Sequence, residues 1–197
     1  MMKALVVAVL GLLVGSCHDA PDRFDRPTAL AFGSASELFV SDGYNNARIA
    51  RFAEDGSFEL DWGGRGSERG QFRTPHSICV SPDQRVYVAD RENARVQVFD
   101  RDGHSLAVWP SHVVGRPWAV ACSSDGFVYT ADGGDQDPSQ PRGSVAKFTL
   151  DGELLARFTP EPADAFNGAH SLAVAADGSV FVAEADGRRL RKLVPTP

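Results

Sequence analysis

Apolar and polar residues alternate along this chain with a period of two, the pattern of half-buried strands rather than of helices. Four stretches keep that alternation in one register: RPTALAFGSASELFVSD from Arg26, TPHSICVSPDQRVYVAD from Thr74, RPWAVACSSDGFVYTAD from Arg116 and GAHSLAVAADGSVFVAE from Gly168. Their second residues are Pro27, Pro75, Pro117 and Ala169, and fifteen positions later stand Asp42, Asp90, Asp132 and Glu184. The inner offset is constant, while the starts are 48, 42 and 52 residues apart. A fixed pair of strands, joined to the next pair by connections of variable length, accounts for both observations.

Within each unit Leu30, Ile78, Val120 and Leu172 occupy one slot, and Phe32, Val80, Cys122 and Val174 lie two residues on, on the same face. Between them Ala31, Cys79, Ala121 and Ala173 face the other way and are always small. A turn then leads to a second strand, such as Val86-Tyr87-Val88. A third follows at 48–52, 95–99, 144–148 and 189–193, with Asp-Gly turns after the first three at Asp55, Asp102 and Asp151. A fourth strand ends in Trp62, Trp109 and Phe158; the last unit has none. Four-stranded units of about 40–45 residues are blades of a β-propeller. The prediction is an all-β chain with blades at about 27–62, 74–109, 116–158 and 168–194, the large face of each blade against one neighbour and the small face against the other. Cys79 and Cys122 fall on opposite faces of different blades, so the expectation is two buried, unpaired thiols.

Composition narrows the setting. The chain has 197 residues and a net charge of −6, and Lys3 is the only charge among the first 16, leaving −7 for the rest. An acidic body argues against a nucleic-acid partner, which needs a Lys/Arg face. The apolar run from Ala4 to Val14 is too short to span a bilayer and reads as a signal peptide over 1–16. Val14-Gly15-Ser16-Cys17 resembles a bacterial lipobox, which implies lipidation of Cys17 and a short tether over 17–26. The expected location is the bacterial cell envelope, lipid-anchored, or else secreted or periplasmic.

The phrases SDGYNNARI, QFRTPHS and ADRENARVQVF carry a more specific likeness. They resemble NHL repeats and, more closely, the peptidyl-α-hydroxyglycine α-amidating lyase domain of the peptide-amidating enzyme, in that family's order over nearly all of 24–194. The resemblance implies a six-bladed propeller with zinc in its channel, cleaving a peptidyl-α-hydroxyglycine to a peptide amide and glyoxylate. Residue by residue, His76 and His170 match zinc ligands, Tyr44 the catalytic tyrosine and Arg91 an active-site arginine. The repeat supports the same positions: the slot before the innermost strand, Thr28, His76, Trp118 and His170, lines a propeller's channel, and Tyr44 and Arg91 hold equivalent loop positions in adjacent blades. Near zinc and a guanidinium a phenol ionises more readily and could take the proton of a substrate hydroxyl. Read singly, the same residues are also channel filler (His76, His170), a packed loop aromatic (Tyr44) and an ion-pair partner of Glu92 or Asp90 (Arg91).

The chain departs from the family in holding four blades. The third zinc histidine and the carboxylate-gripping arginine have no counterpart; His18, His104 and His112 are poor replacements. Ser171 stands where the family has a calcium ligand, which argues against calcium. Two function classes follow: a zinc-assisted lyase acting on a peptide or an N-acyl-glycine-type small molecule, or a surface-tethered propeller that binds proteins or peptides without catalysis. Four blades could close into a ring or form an open arc of a six-bladed one, which a protein partner or a homodimer would complete.

Overall fold

The computed structural model describes residues 23–135 and 143–195. The leader, Cys17 and most of the GDQDPSQPRG stretch lie outside them. Among the described residues fifteen strands form four antiparallel sheets, the expected all-β, four-bladed architecture. Sheet one holds β1 (Ala29–Phe32), β2 (Leu38–Asp42), β3 (Arg48–Phe52) and β4 (Phe58–Gly63); sheet two holds β5 (Pro75–Val80), β6 (Val86–Asp90), β7 (Arg95–Phe99) and β8 (Ser105–Trp109). A single helical turn, α1 (Ser111–Val114), leads to sheet three: β9 (Pro117–Cys122), β10 (Phe127–Asp132), β11 (Ser144–Thr149) and β12 (Leu154–Phe158). Sheet four has three strands, β13 (Ala169–Val174), β14 (Val180–Glu184) and β15 (Arg189–Leu193). Each sheet is a meander, and the innermost strands pack in the order β1, β5, β9, β13.

The alternation dictates the seams. Ile78, Val86, Val88 and Phe99 of sheet two face back onto Phe39 and Ile49 of sheet one. Tyr87, Ala89, Val96 and Val98 face forward onto Val120, Val128, Ala146 and Phe148 of sheet three. β2 and β6 are therefore buried throughout, whereas in β14, at the end of the row of sheets, Phe181 and Ala183 are only half-buried.

One expectation is overturned. Cys79 and Cys122 form a disulfide, with Cα atoms 5.6 Å apart. Cys79 sits in the small slot, which faces forward, and Cys122 in the large slot of the next blade, which faces back. Opposite faces of adjacent blades are the two that touch, so the register that seemed to separate the thiols brings them together.

The constant acid of the repeat is also explained. Asp90 is fully buried; its carboxylate accepts the Arg73 backbone N–H at 2.9 Å and Arg95 Nε at 2.8 Å. Asp42 does the same with the Asp25 N–H (3.1 Å) and Arg48 (3.3 Å), and Glu184 with the Asn167 N–H (2.6 Å) and Arg189 (2.9 Å). Each of these three acids ties the incoming connection to the third strand of its own blade, and Asp132, in the third blade, accepts the Gly134 backbone N–H at 3.0 Å. A buried carboxylate is tolerable because it is both ion-paired and hydrogen-bonded.

Candidate functional site at the channel mouth

Three slot residues owe their direction to a local irregularity. Pro75 pairs with Asp90 and Ser77 with Ala89, leaving His76 in a β-bulge; His170 is set out of register in the same way between Ala169 and Ser171. Trp118 falls at the corresponding shift, where Asp132 pairs with Pro117 and Ala131 with Ala119. A bulge re-aims a side chain out of the pleat, and here the three rings converge. The His76 and His170 centroids are 4.7 Å apart, and Trp118 lies 5.5 Å from the first and 5.3 Å from the second.

Tyr44 comes from the loop after β2. Gly43 lets that loop approach the second blade: a Cβ there would lie 2.1 Å from the Pro75 carbonyl oxygen. The Tyr44 ring meets His76 edge-on at 5.6 Å, and its hydroxyl lies 3.0 Å from His76 Nε2. On the other side of the imidazole, Nδ1 is 2.6 Å from the Trp118 carbonyl oxygen. A carbonyl only accepts, so Nδ1 carries the hydrogen and Nε2 is the bare nitrogen. The Tyr44 hydroxyl therefore donates to Nε2.

Arg91 opens the 3-10 turn after β6. Its guanidinium stacks on Trp118, 3.4 Å from the ring centroid, in a cation–π contact. Asp135 lies 3.6 Å and Glu92 3.7 Å from it, loose ion pairs at best, and its buried Nε has no hydrogen-bond partner. Arg116 binds the same two acids more closely, reaching Asp135 at 2.9 Å and pairing with Glu92. Asp135 also accepts the Trp118 Nε1–H at 3.2 Å. Of this ionic frame around Trp118 the sequence suggested only an ion pair of Arg91 with Glu92 or Asp90; the parts of Arg116, Asp135 and the Trp118 ring were not foreseen.

Electrostatics keep both imidazoles neutral. Burial is the main cause that lowers His76 to about 4, the Trp118 carbonyl partly opposes it, and the neighbouring His170 and Arg91 add to it. His170 is lowered first by burial and then by Arg91, with Asp186 opposing. Neutral imidazole is the metal-ligating form, and an Nδ1–H held by a backbone carbonyl is the usual support for a ligating Nε2. The pair fits a metal in these respects. Among the described residues no cluster of three His, Cys, Asp or Glu side chains surrounds one, so the pair supplies two of the three protein ligands usual for catalytic zinc. His104 is engaged elsewhere, exposed and 2.9 Å from Asp100, and His112 lies in α1.

The structure thus brings Tyr44, His76, His170 and Arg91 around one channel mouth. Cys17 lies outside the described residues. Residues 72–99, which contain β5 to β7, match the family described as NHL repeat. The chain is 35% identical across 186 residues to "Peptidyl-glycine alpha-amidating monooxygenase A" of Xenopus laevis, covering 88% of itself and 20% of that protein. It is 30% identical to "Peptidyl-alpha-hydroxyglycine alpha-amidating lyase 1" of Drosophila melanogaster, covering 87% of itself and 35% of that protein. It is 32% identical to "NHL repeat-containing protein 3" of Mus musculus, with 89% and 51% covered. The chain therefore spans between a fifth and about half of the length of these relatives. Among solved structures, virginiamycin B lyase from Staphylococcus aureus superposes with a TM-score of 0.63 at 16% identity, over 90% of this chain and 58% of that one. That likeness is one of fold.

Proposed function

We propose that this protein is a lyase of the peptidyl-α-hydroxyglycine type, cleaving an N-acyl α-hydroxyglycine to the amide and glyoxylate. The observation that carries the reading is the convergence of Tyr44, His76, His170 and Arg91, four residues from three blades, in a chain similar along most of its length to amidating proteins. In the reaction Tyr44 serves as the general base for the proton of the substrate's carbinol hydroxyl. The electron pair left on oxygen forms the aldehyde C=O, the C–N bond breaks, and the departing amide nitrogen takes a proton. Arg91 sets a positive potential over the imidazoles, which favours an anionic group of the substrate at the same mouth. His76 and His170 would hold zinc, which when bound supplies Lewis-acid polarisation of the substrate oxygen.

The cystine supports export, since disulfides persist in oxidising compartments. Attachment through Cys17 to the bacterial envelope is part of the same proposal, as is a peptide or N-acylglycine-type ligand rather than a nucleic acid. A non-catalytic, tethered binding propeller is the second reading. It is favoured by the two-ligand donor set and by the hydrogen bond that already occupies His76 Nε2.

The deciding assay supplies N-benzoyl-α-hydroxyglycine to the zinc-supplemented protein and follows glyoxylate. The lyase reading expects turnover that falls at least about 100-fold in Tyr44→Phe, the range of a lost general base. Background-level glyoxylate from the wild type would leave the binding reading standing.

A further inference from the structure

The hydrogen bond from Tyr44 to His76 has a consequence for metal binding. It rests on the reading above that His76 and His170 are metal ligands. An imidazole with hydrogen on Nδ1 has one lone pair in the ring plane, on Nε2. His76 is in that tautomer because its Nδ1 faces the Trp118 carbonyl at 2.6 Å. The Nε2 lone pair is already engaged, by the Tyr44 hydroxyl at 3.0 Å. The other nitrogen cannot take a metal in its place, since turning the ring would break the bond to Trp118, and the ring is buried between Tyr44, Trp118 and His170.

We infer that the Tyr44 hydroxyl and a metal ion exchange for the same lone pair of His76, so that Tyr44 acts as a gate on the site and metal binding frees its hydroxyl. The exchange balances simply. The metal gains the Nε2 electron pair, the hydrogen bond to Tyr44 is lost, and the phenol keeps its proton and turns to another acceptor. Tyr44 can swing because it is 45% exposed and sits in a loop, whereas His76 is 4% exposed and fixed. In this arrangement the residue matched to the catalytic tyrosine is held away from substrate until a metal arrives, which couples loading of the site to release of its acid–base group.

The test is the zinc affinity of the full chain, measured by competition with a chromogenic chelator at pH 7, for wild type, Tyr44→Phe and His76→Ala. Phenylalanine keeps the ring against His76 and removes only the competing hydroxyl. Loss of one neutral hydrogen bond, worth about 0.5–1.5 kcal/mol, converts to zinc binding about 2- to 10-fold tighter in Tyr44→Phe, with binding lost in His76→Ala. Zinc bound by Tyr44→Phe and not measurably by wild type would be the extreme form of the same result. Equal affinity in wild type and Tyr44→Phe overturns the gate while leaving the metal site intact. Weaker binding in Tyr44→Phe also overturns it, since it makes Tyr44 a ligand. No binding in either protein removes gate and metal site together.

Discussion

The seam between the second and third sheets and the seam between the third and fourth are built from the same repeat, yet only the first is closed from channel to rim. At its inner end Ser77 Oγ bridges to the Val120 backbone and His76 to the Trp118 carbonyl. Halfway out the Cys79–Cys122 disulfide crosses it, and Tyr87 donates to the Leu150 carbonyl at 2.8 Å. At the rim Trp109 stacks near Tyr87 and Phe148 and covers the turn at Gly152, where a Cβ would come within 2.5 Å of the indole. Trp62 covers Gly103 in the same manner one blade earlier. Phe158 holds that position in the third sheet but is 44% exposed, and beside it Val194 and Pro195 border a cavity of about 590 Å³. The aromatic at the end of a fourth strand needs the third-to-fourth-strand turn of the next blade to cover. The channel residues need only the inner strands, and so His170 is delivered to the site by a sheet whose rim is open.

That contrast sets the scale of four expected outcomes. The largest is Trp109→Ala, which empties the rim of the closed seam and should cost about 3–5 kcal/mol in urea unfolding; a loss under 1 kcal/mol would mean that the inner strands alone hold the seam. Reduction, or the double change Cys79→Ser with Cys122→Ser, releases a loop closed over 43 residues. Chain entropy puts the loss at about 4 kcal/mol as an upper figure, and identical unfolding curves with and without reductant would show that the thiols are not joined.

The third outcome is a pH dependence. Burial lowers His76 to about 4 from an ordinary value of 6.5. The unfolded chain therefore takes up the proton first as pH falls. Stability from keeping His76 neutral is complete above about pH 6.5, declines through the window down to about pH 4, and is then gone, a total on the order of 3 kcal/mol. Unfolding of metal-free wild type and His76→Gln across pH 4–7 isolates it: the wild-type curve should fall more steeply than the variant's, and parallel curves would contradict a buried neutral imidazole. The smallest effect belongs to the open seam. Phe158→Ala should cost under about 1 kcal/mol, as expected for a half-exposed side chain; a cost near that of Trp109→Ala would show the rim to be closed in solution.

Much of this was legible beforehand. Period-two alternation gave the strands, because a strand buried on both faces still needs its side chains in a fixed register. Seven hairpin turns of the described residues follow the same local chemistry: Gly56, Gly103, Gly126, Gly152 and Gly178 take φ between 79° and 91°, and Ser36 and Gln84 take 61° and 69° in equivalent turns. Tyr44, His76, His170 and Arg91 were legible from resemblance and slot position. The bulges were not, because one residue slipping out of a ladder leaves no mark in the alternation. Nor was the double use of His76, a seam bond through one nitrogen and a Tyr44 bond through the other, since it depends on a carbonyl contributed by the next blade.

By itself the sequence determined the elements and their repetition: four units, two faces each, an acid at the end of every second strand. These are local or periodic properties, set by side-chain alternation and turn stereochemistry. Only the tertiary structure decided what meets across a seam. Cys79 and Cys122 pair, Arg91 lies on Trp118, and His76 and His170 come within contact from blades that are not neighbours. Such pairings depend on how successive sheets rotate about the channel, and that angle is fixed by the packing of whole faces.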